Sequence, residues 1–245
     1  MFKNLSKNHE TGRRLPSAYR ALLARPVSSL TPPIEQAGFD ERFARLDQEL
    51  AEKGLQYLSI ETYFGDEWFC PDQSTAIAIP FWLADDRLKS IERVFAGYVE
   101  GETEEEFMRL LRHEAGHCVD HAYRLSRRAD WRDIFGDTDM HYNPDGVKTV
   151  ENHPDFVVNL SGGYAQTHPD EDFAETFAVW LDPESRCWDI YRAKPVALNK
   201  LMFVDSLMAD CGAKNPRKVF NQKICQARRM RRTLESYYRQ RFDAL

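Results

Sequence analysis

His113-Glu114-Ala115-Gly116-His117 reads H-E-x-x-H. Residues four apart project from one face of a helix, so His113 and His117 can grip a single metal ion. Glu114 is turned about 100° round the helix, beside that ion, where it can polarise a water. Five residues are a short pattern, so the flanking chain has to decide what they mean.

The flanks predict a helix. Thr103-x-x-Glu106 is a capping box, and Glu104 and Glu105 suit the positive end of a helix dipole. The helix is expected to run to about Leu125. Phe107, Leu111, Cys118, Ala122 and Leu125 form one stripe and the two histidines another. One stripe is expected in the core, the other on a cleft.

A second helix follows from Pro169, which suits a first helical position with His168 or Thr167 as cap, and runs to Leu181 before Pro183. Phe173, Ala174, Phe177, Ala178 and Leu181 are its expected buried side. Glu171 and Glu175 sit four apart on one face.

The rest of the chain is expected to support these two helices. Helices are expected over 39–53, from Asp85-Asp86 to Gly97 or Gly101, and over Val196–Ala209. Alternation from Leu55, then Trp68-Phe69-Cys70 and Thr75–Ile79, predicts two or three short strands in an antiparallel or mixed sheet. Pro80 places the Thr75–Ile79 strand near an edge, which is either a plain sheet border or a place for an extended peptide to pair. Residues 133–167 show little periodicity, and irregular stretches of that length usually have a function or move. The tail from Asn215 is expected to be helical and basic.

Composition sets outer bounds. The chain has 245 residues, 42% of them hydrophobic, enough for a sizeable core. No apolar run reaches membrane-spanning length, and the N-terminus lacks the apolar segment of a secretory signal. Five cysteines without C-x-x-C do not resemble a disulfide framework. These features favour a cytoplasmic protein that is not membrane-bound. The net charge of −6 is unevenly spread: residues 1–33 carry +5, residues 214–245 carry +8, and the segment between carries −19. The preferred reading is that the basic ends fold back on the acidic body. The other is that the tail meets nucleic acid or an acidic partner.

A catalytic zinc takes three protein ligands and a water. Candidates for the third are Asp120, His121, His141, His153, His168, Glu171 and Glu175. Asp120 and Tyr123 occupy the places where H-E-x-x-H-x-x-G-x-x-H would need Gly and His, which excludes that arrangement. Glu171 is the best candidate, because a helix-opening Glu with a carboxylate four residues later supplies both a ligand and an acceptor for the free ring N–H of a ligand histidine. Asp120 either orients a ligand histidine or pairs with Arg124. Cys118 is expected in the core. Tyr142 and Tyr123 are expected to be packing residues.

Arg112–Tyr123, Tyr164–Ala178 and Ile79–Ala84 together resemble the bacterial putative zinc-binding metallopeptidase family, over roughly residue 55 to the C-terminus. More distantly, the spacing is similar to the lethal factor protease domain and the Mlc titration factor peptidases. The resemblance implies an α+β, zincin-like fold, with a small twisted sheet and the H-E-x-x-H helix above a mainly helical lower half. It implies His113, His117 and Glu171 as ligands of one Zn2+ per chain, Glu114 as the base activating a zinc-bound water, Tyr164 as a transition-state helper, and Glu175 behind the histidines. Residues 55–213 are then the catalytic domain, with 1–54 an N-terminal arm and helix packed on it and 214–245 a basic helical extension. The expected partner is a peptide or protein substrate. A zinc-binding regulatory protein with little or no hydrolysis is the alternative. Some relatives carry an N-terminal cysteine-rich zinc ribbon; with no C-x-x-C in this sequence, none is expected within it.

Overall fold

The computed structural model describes residues 17–139, 147–212, 214–217, 219 and 221–242. His141, Tyr142 and residues 1–16 of the N-terminal arm lie outside them. The chain is α+β. Its helices are α1 (Ser17–Leu23), α2 (Val27–Leu30), α3 (Asp40–Glu52), α4 (Asp86–Ala96), α5 (Glu104–Tyr123), α6 (Ala129–Phe135), α7 (Pro169–Leu181), α8 (Cys187–Ile190), α9 (Pro195–Gly212) and α10 (Leu234–Phe242). Two strands, β1 (Glu61–Gly65) and β2 (Ala76–Pro80), complete it.

α5 begins as its capping residues dictate: Thr103 Oγ1 accepts the Glu106 N–H at 3.2 Å. It ends where Arg124 turns left-handed and donates its N–H to Asp120 O. Its two-stripe expectation needs correction. α5 is buried on nearly every side, with Leu110, Leu111, His113, Glu114, Ala115, Cys118 and Val119 all enclosed. α7 packs along one face of it, β2 and α3 against others.

The sheet also differs from expectation. β1 and β2 run parallel, Glu61 opposite Ala76 through Gly65 opposite Pro80. Alternation has the same period in parallel and antiparallel strands, so the pattern could not distinguish them. Phe69 adds one antiparallel bridge to Ala78. Residues 55–60 are not strand: the Leu55 N–H closes back on Leu50 O at 2.8 Å and the Leu58 N–H on Leu55 O at 3.0 Å, spending their donors in turns. Both strands are sheet borders, yet β2 is not open over its first half. Ala76 N–H donates to Ser74 Oγ, and Ala78 N–H to Phe69 O.

The tail is helical only in its last part. Residues 221–226 contain no helix, and Asn221 there is tied to the sheet. Its Oδ1 accepts the Thr75 N–H at 2.9 Å while its Nδ2 donates to Glu61 Oε1 at 2.9 Å. α10 then buries Tyr237 and Tyr238. The described tail folds back on acidic residues, with Lys223 on Glu61 at 2.7 Å and Arg241 on Glu92 at 2.8 Å. No helix among the described residues is long and apolar enough to cross a membrane. All five cysteines are free.

Candidate metal centre

α5 and α7 touch where their small residues face each other. A Cβ on Gly116 would stand 3.0 Å from Ala174 Cα, so glycine lets the two backbones approach closely. That approach brings Glu171, in the first turn of α7, against both histidines. α7 is started by His168, whose Nδ1 accepts the Asp170 N–H at 3.2 Å, with Pro169 behind it. His168 is thus a cap and not a member of the cluster.

The cluster is compact. His113 Nε2 lies 3.0 Å from Glu171 Oε2, His117 Nε2 lies 3.4 Å from the same oxygen, and the two Nε2 atoms are 3.3 Å apart. Among the described residues, His113, His117 and Glu171 are the one group whose donor atoms all lie within 4.8 Å of one another. His113 is fully buried, and the His117 side chain, 16% exposed, is the most open edge.

The electrostatics are those of a site that concentrates charge. Burial works against a charged His113, but the carboxylates of Glu171 and Glu175 outweigh it and hold its pKa well above the usual value. His117 is raised on the same balance of burial against Glu171. Glu171 is opposed by its own burial, yet the two histidines pull its pKa below the usual carboxylate range. Glu114 feels the same two histidines but makes no hydrogen bond to them, and burial prevails. Burial raises its pKa, and both carboxylate oxygens are enclosed without a hydrogen bond. Two unpaired buried acceptors on one carboxylate are costly, and beside the His113, His117 and Glu171 cluster they are the kind of group a catalytic role explains.

Glu175 stands behind His113. The His113 Nδ1–H points at Glu175 Oε1, 2.9 Å away, which leaves Nε2 free to face Glu171 and His117. The other Glu175 oxygen accepts the backbone N–H groups of Asn159 at 2.9 Å and Leu160 at 2.7 Å. Sequence reasoning missed this clamp. Asn159 sits in the aperiodic stretch, and no spacing rule links it to α7. The ring of Tyr164, buried in a short 3-10 turn, lies 5.6 Å from that of His113.

Other candidates are placed elsewhere. The bonds that the structure gives Asp120 are neither to a ligand histidine nor to Arg124. Both its oxygens go to Ser126, accepting the backbone N–H at 2.6 Å and the hydroxyl at 2.9 Å. His121 Nδ1 lies 3.0 Å from Ser74 O. His153 Nδ1 accepts the Asp155 N–H. Cys118 is fully buried and Tyr123 partly so.

Two imidazoles and one carboxylate, with an unpaired carboxylate on the same helix, form a donor set of the kind that metallopeptidases place round zinc. The donor chemistry fits zinc, and Glu114 fits the place beside it. The chain belongs to the family described as putative zinc-binding metallo-peptidase, whose sequence model matches residues 80–207. Searches of the curated proteins and of the solved structures find no match to the chain.

Proposed function

We propose that this chain is a zinc-dependent peptidase with a zincin-like arrangement of α5 over α7. His113, His117 and Glu171 hold one zinc ion, and Glu114 is the general base. The observation that carries the reading is the buried, unpaired Glu114 carboxylate on the helix that supplies both histidines. Among the described residues the group offers three protein ligands, which leaves one position of a tetrahedral shell for water or substrate.

When bound, zinc supplies Lewis acidity, bringing the pKa of a water towards about 7 and polarising the scissile carbonyl. The residues do the rest. Glu114 takes a proton from the attacking water and passes it to the leaving amine. Its enclosure, which raises its pKa, favours this shuttle, because a carboxylate that is too acidic takes protons poorly. Glu175 accepts the His113 Nδ1–H and so presents Nε2, unprotonated, to the metal. Tyr164, beside the His113 ring, is the donor to the oxygen that gains negative charge.

The reading is tested by Glu114→Gln. The variant is expected to retain zinc and lose peptide hydrolysis by about 10²–10⁴-fold. An active Glu114→Gln protein would overturn the assignment.

A further inference from the structure

We propose that Asn159 is a positioning residue for His113, acting on it from two sides. The proposal rests on the zinc-ligand reading above. From one side, Asn159 Nδ2 donates to the carbonyl of Arg109 at 3.1 Å. Arg109 lies one helical turn before His113, and in an α-helix its carbonyl is the acceptor for the His113 backbone N–H. From the other side, the same Nδ2 reaches Glu175 Oε1 at 3.4 Å, the oxygen that receives the His113 Nδ1–H. One amide nitrogen thus touches the acceptor of the His113 backbone and the acceptor of its ring.

The chemistry selects asparagine. A side-chain amide carries two N–H donors on one atom, so it can serve a carbonyl and a carboxylate together. Serine has one donor, aspartate none, and alanine does not reach. The platform behind Asn159 is firm. Its neighbour Val157 is fully buried, the Val158 N–H donates to Tyr191 Oη at 2.9 Å, and Asn159 itself is only 6% exposed. Together with the N–H groups of Asn159 and Leu160 on Glu175 Oε2, three donors from this segment converge on the carboxylate that also receives the His113 Nδ1–H. The irregular stretch before Tyr164 therefore holds the acceptor that holds the ligand.

The test is zinc affinity, measured by competition with a chromogenic chelator on the full chain, together with thermal melts of the metal-free proteins. Asn159→Ala is expected to weaken zinc binding about 10–100-fold, the usual effect of removing an outer partner of a metal ligand. A double-mutant cycle separates positioning from general loosening of the fold. In a Glu175→Gln background, Asn159→Ala is expected to cost less than about twofold further. Asn159→Asp, similar in size but without the two N–H donors, is expected to weaken zinc binding as Asn159→Ala does. Unchanged zinc affinity in Asn159→Ala would overturn the proposal, as would a full additive loss in the Glu175→Gln background. A wild-type chain that binds no zinc would instead overturn the metal-site reading itself.

Discussion

Gly116 and Ala174 hold α5 and α7, the two helices of the candidate metal centre, at a separation too tight for a methyl group without a shift, since a Cβ on Gly116 would lie 3.0 Å from Ala174 Cα and 3.3 Å from the Phe177 ring. Gly116→Ala therefore sets two effects against each other. Alanine favours the helix by about 1 kcal/mol over glycine, while the added carbon meets backbone that can yield only if α7 shifts. Because Glu171 is on α7, the shift is expected to show in the metal site first. Zinc affinity should fall at least about tenfold with little change in the metal-free melting temperature. Chelator competition and a thermal melt check this, and unchanged zinc affinity would mean that α7 is not held at this distance.

The pH dependence should differ between metal-free and metal-loaded protein. In the metal-free state the His113 pKa is raised above 6.5 by Glu171 and Glu175, so the stability it contributes is full below 6.5 and is lost as pH rises through the raised value. Glu171 is lowered from 4.5, so its contribution is present above 4.5 and lost as pH falls through the lowered value. The ion cluster is then complete between those limits. Zinc displaces the His113 proton, so its affinity should climb with pH. The gap between melting temperatures with and without zinc is expected to widen steadily from about pH 6 to 9. A constant gap would show that no proton is exchanged.

Arg112, next to His113, anchors α5 to α3 and to the C-terminal end of α7. Its guanidinium donates to both oxygens of Glu49 on α3, at 2.7 and 2.6 Å, and reaches Asp182 at 3.1 Å. Glu49 and Arg112 are both only 4% exposed in their side chains. Removing one partner of a buried pair leaves the other charge stranded, at a cost of about 3–5 kcal/mol. Asp182 remains to share the Arg112 charge, so Glu49→Gln is expected near the lower end. At roughly 2–4 °C per kcal/mol for a chain of this size, the melting temperature should drop by about 6 °C or more. A change below about 2 °C would mean the pair contributes little.

The parts of this molecule legible in its sequence are those set by neighbours a few residues away. Thr103 and Glu106 announce α5, and Pro169 announces α7, because caps act within one turn. Two four-residue spacings each put two groups on one helix face, but the grouping of Glu171 with His113 and His117 could be anticipated only from the family resemblance. What depended on distant contacts was hidden. β1 and β2 pair in parallel, which a period of two cannot encode. Asp120 looked like a partner for a ligand histidine one helical turn back, yet the chain after α5 turns back and offers it Ser126. Asn221 ties the tail to the sheet, and Asn159 clamps Glu175, through pairings that arise only once the chain has folded. Of the stripe on α5 expected to face a cleft, His113 is enclosed and only His117 keeps some exposure, because α7 packs over that face.

The central claim is that His113, His117 and Glu171 hold one zinc ion. The most direct measurement is metal content by mass spectrometry on wild type and Glu171→Ala, purified alike, with peptide cleavage followed in the same samples. One zinc per wild-type chain, sharply reduced occupancy in Glu171→Ala, and chelator-sensitive cleavage by the wild type alone are the expected result. A wild-type chain without metal, or Glu171→Ala with full zinc and full activity, would contradict it.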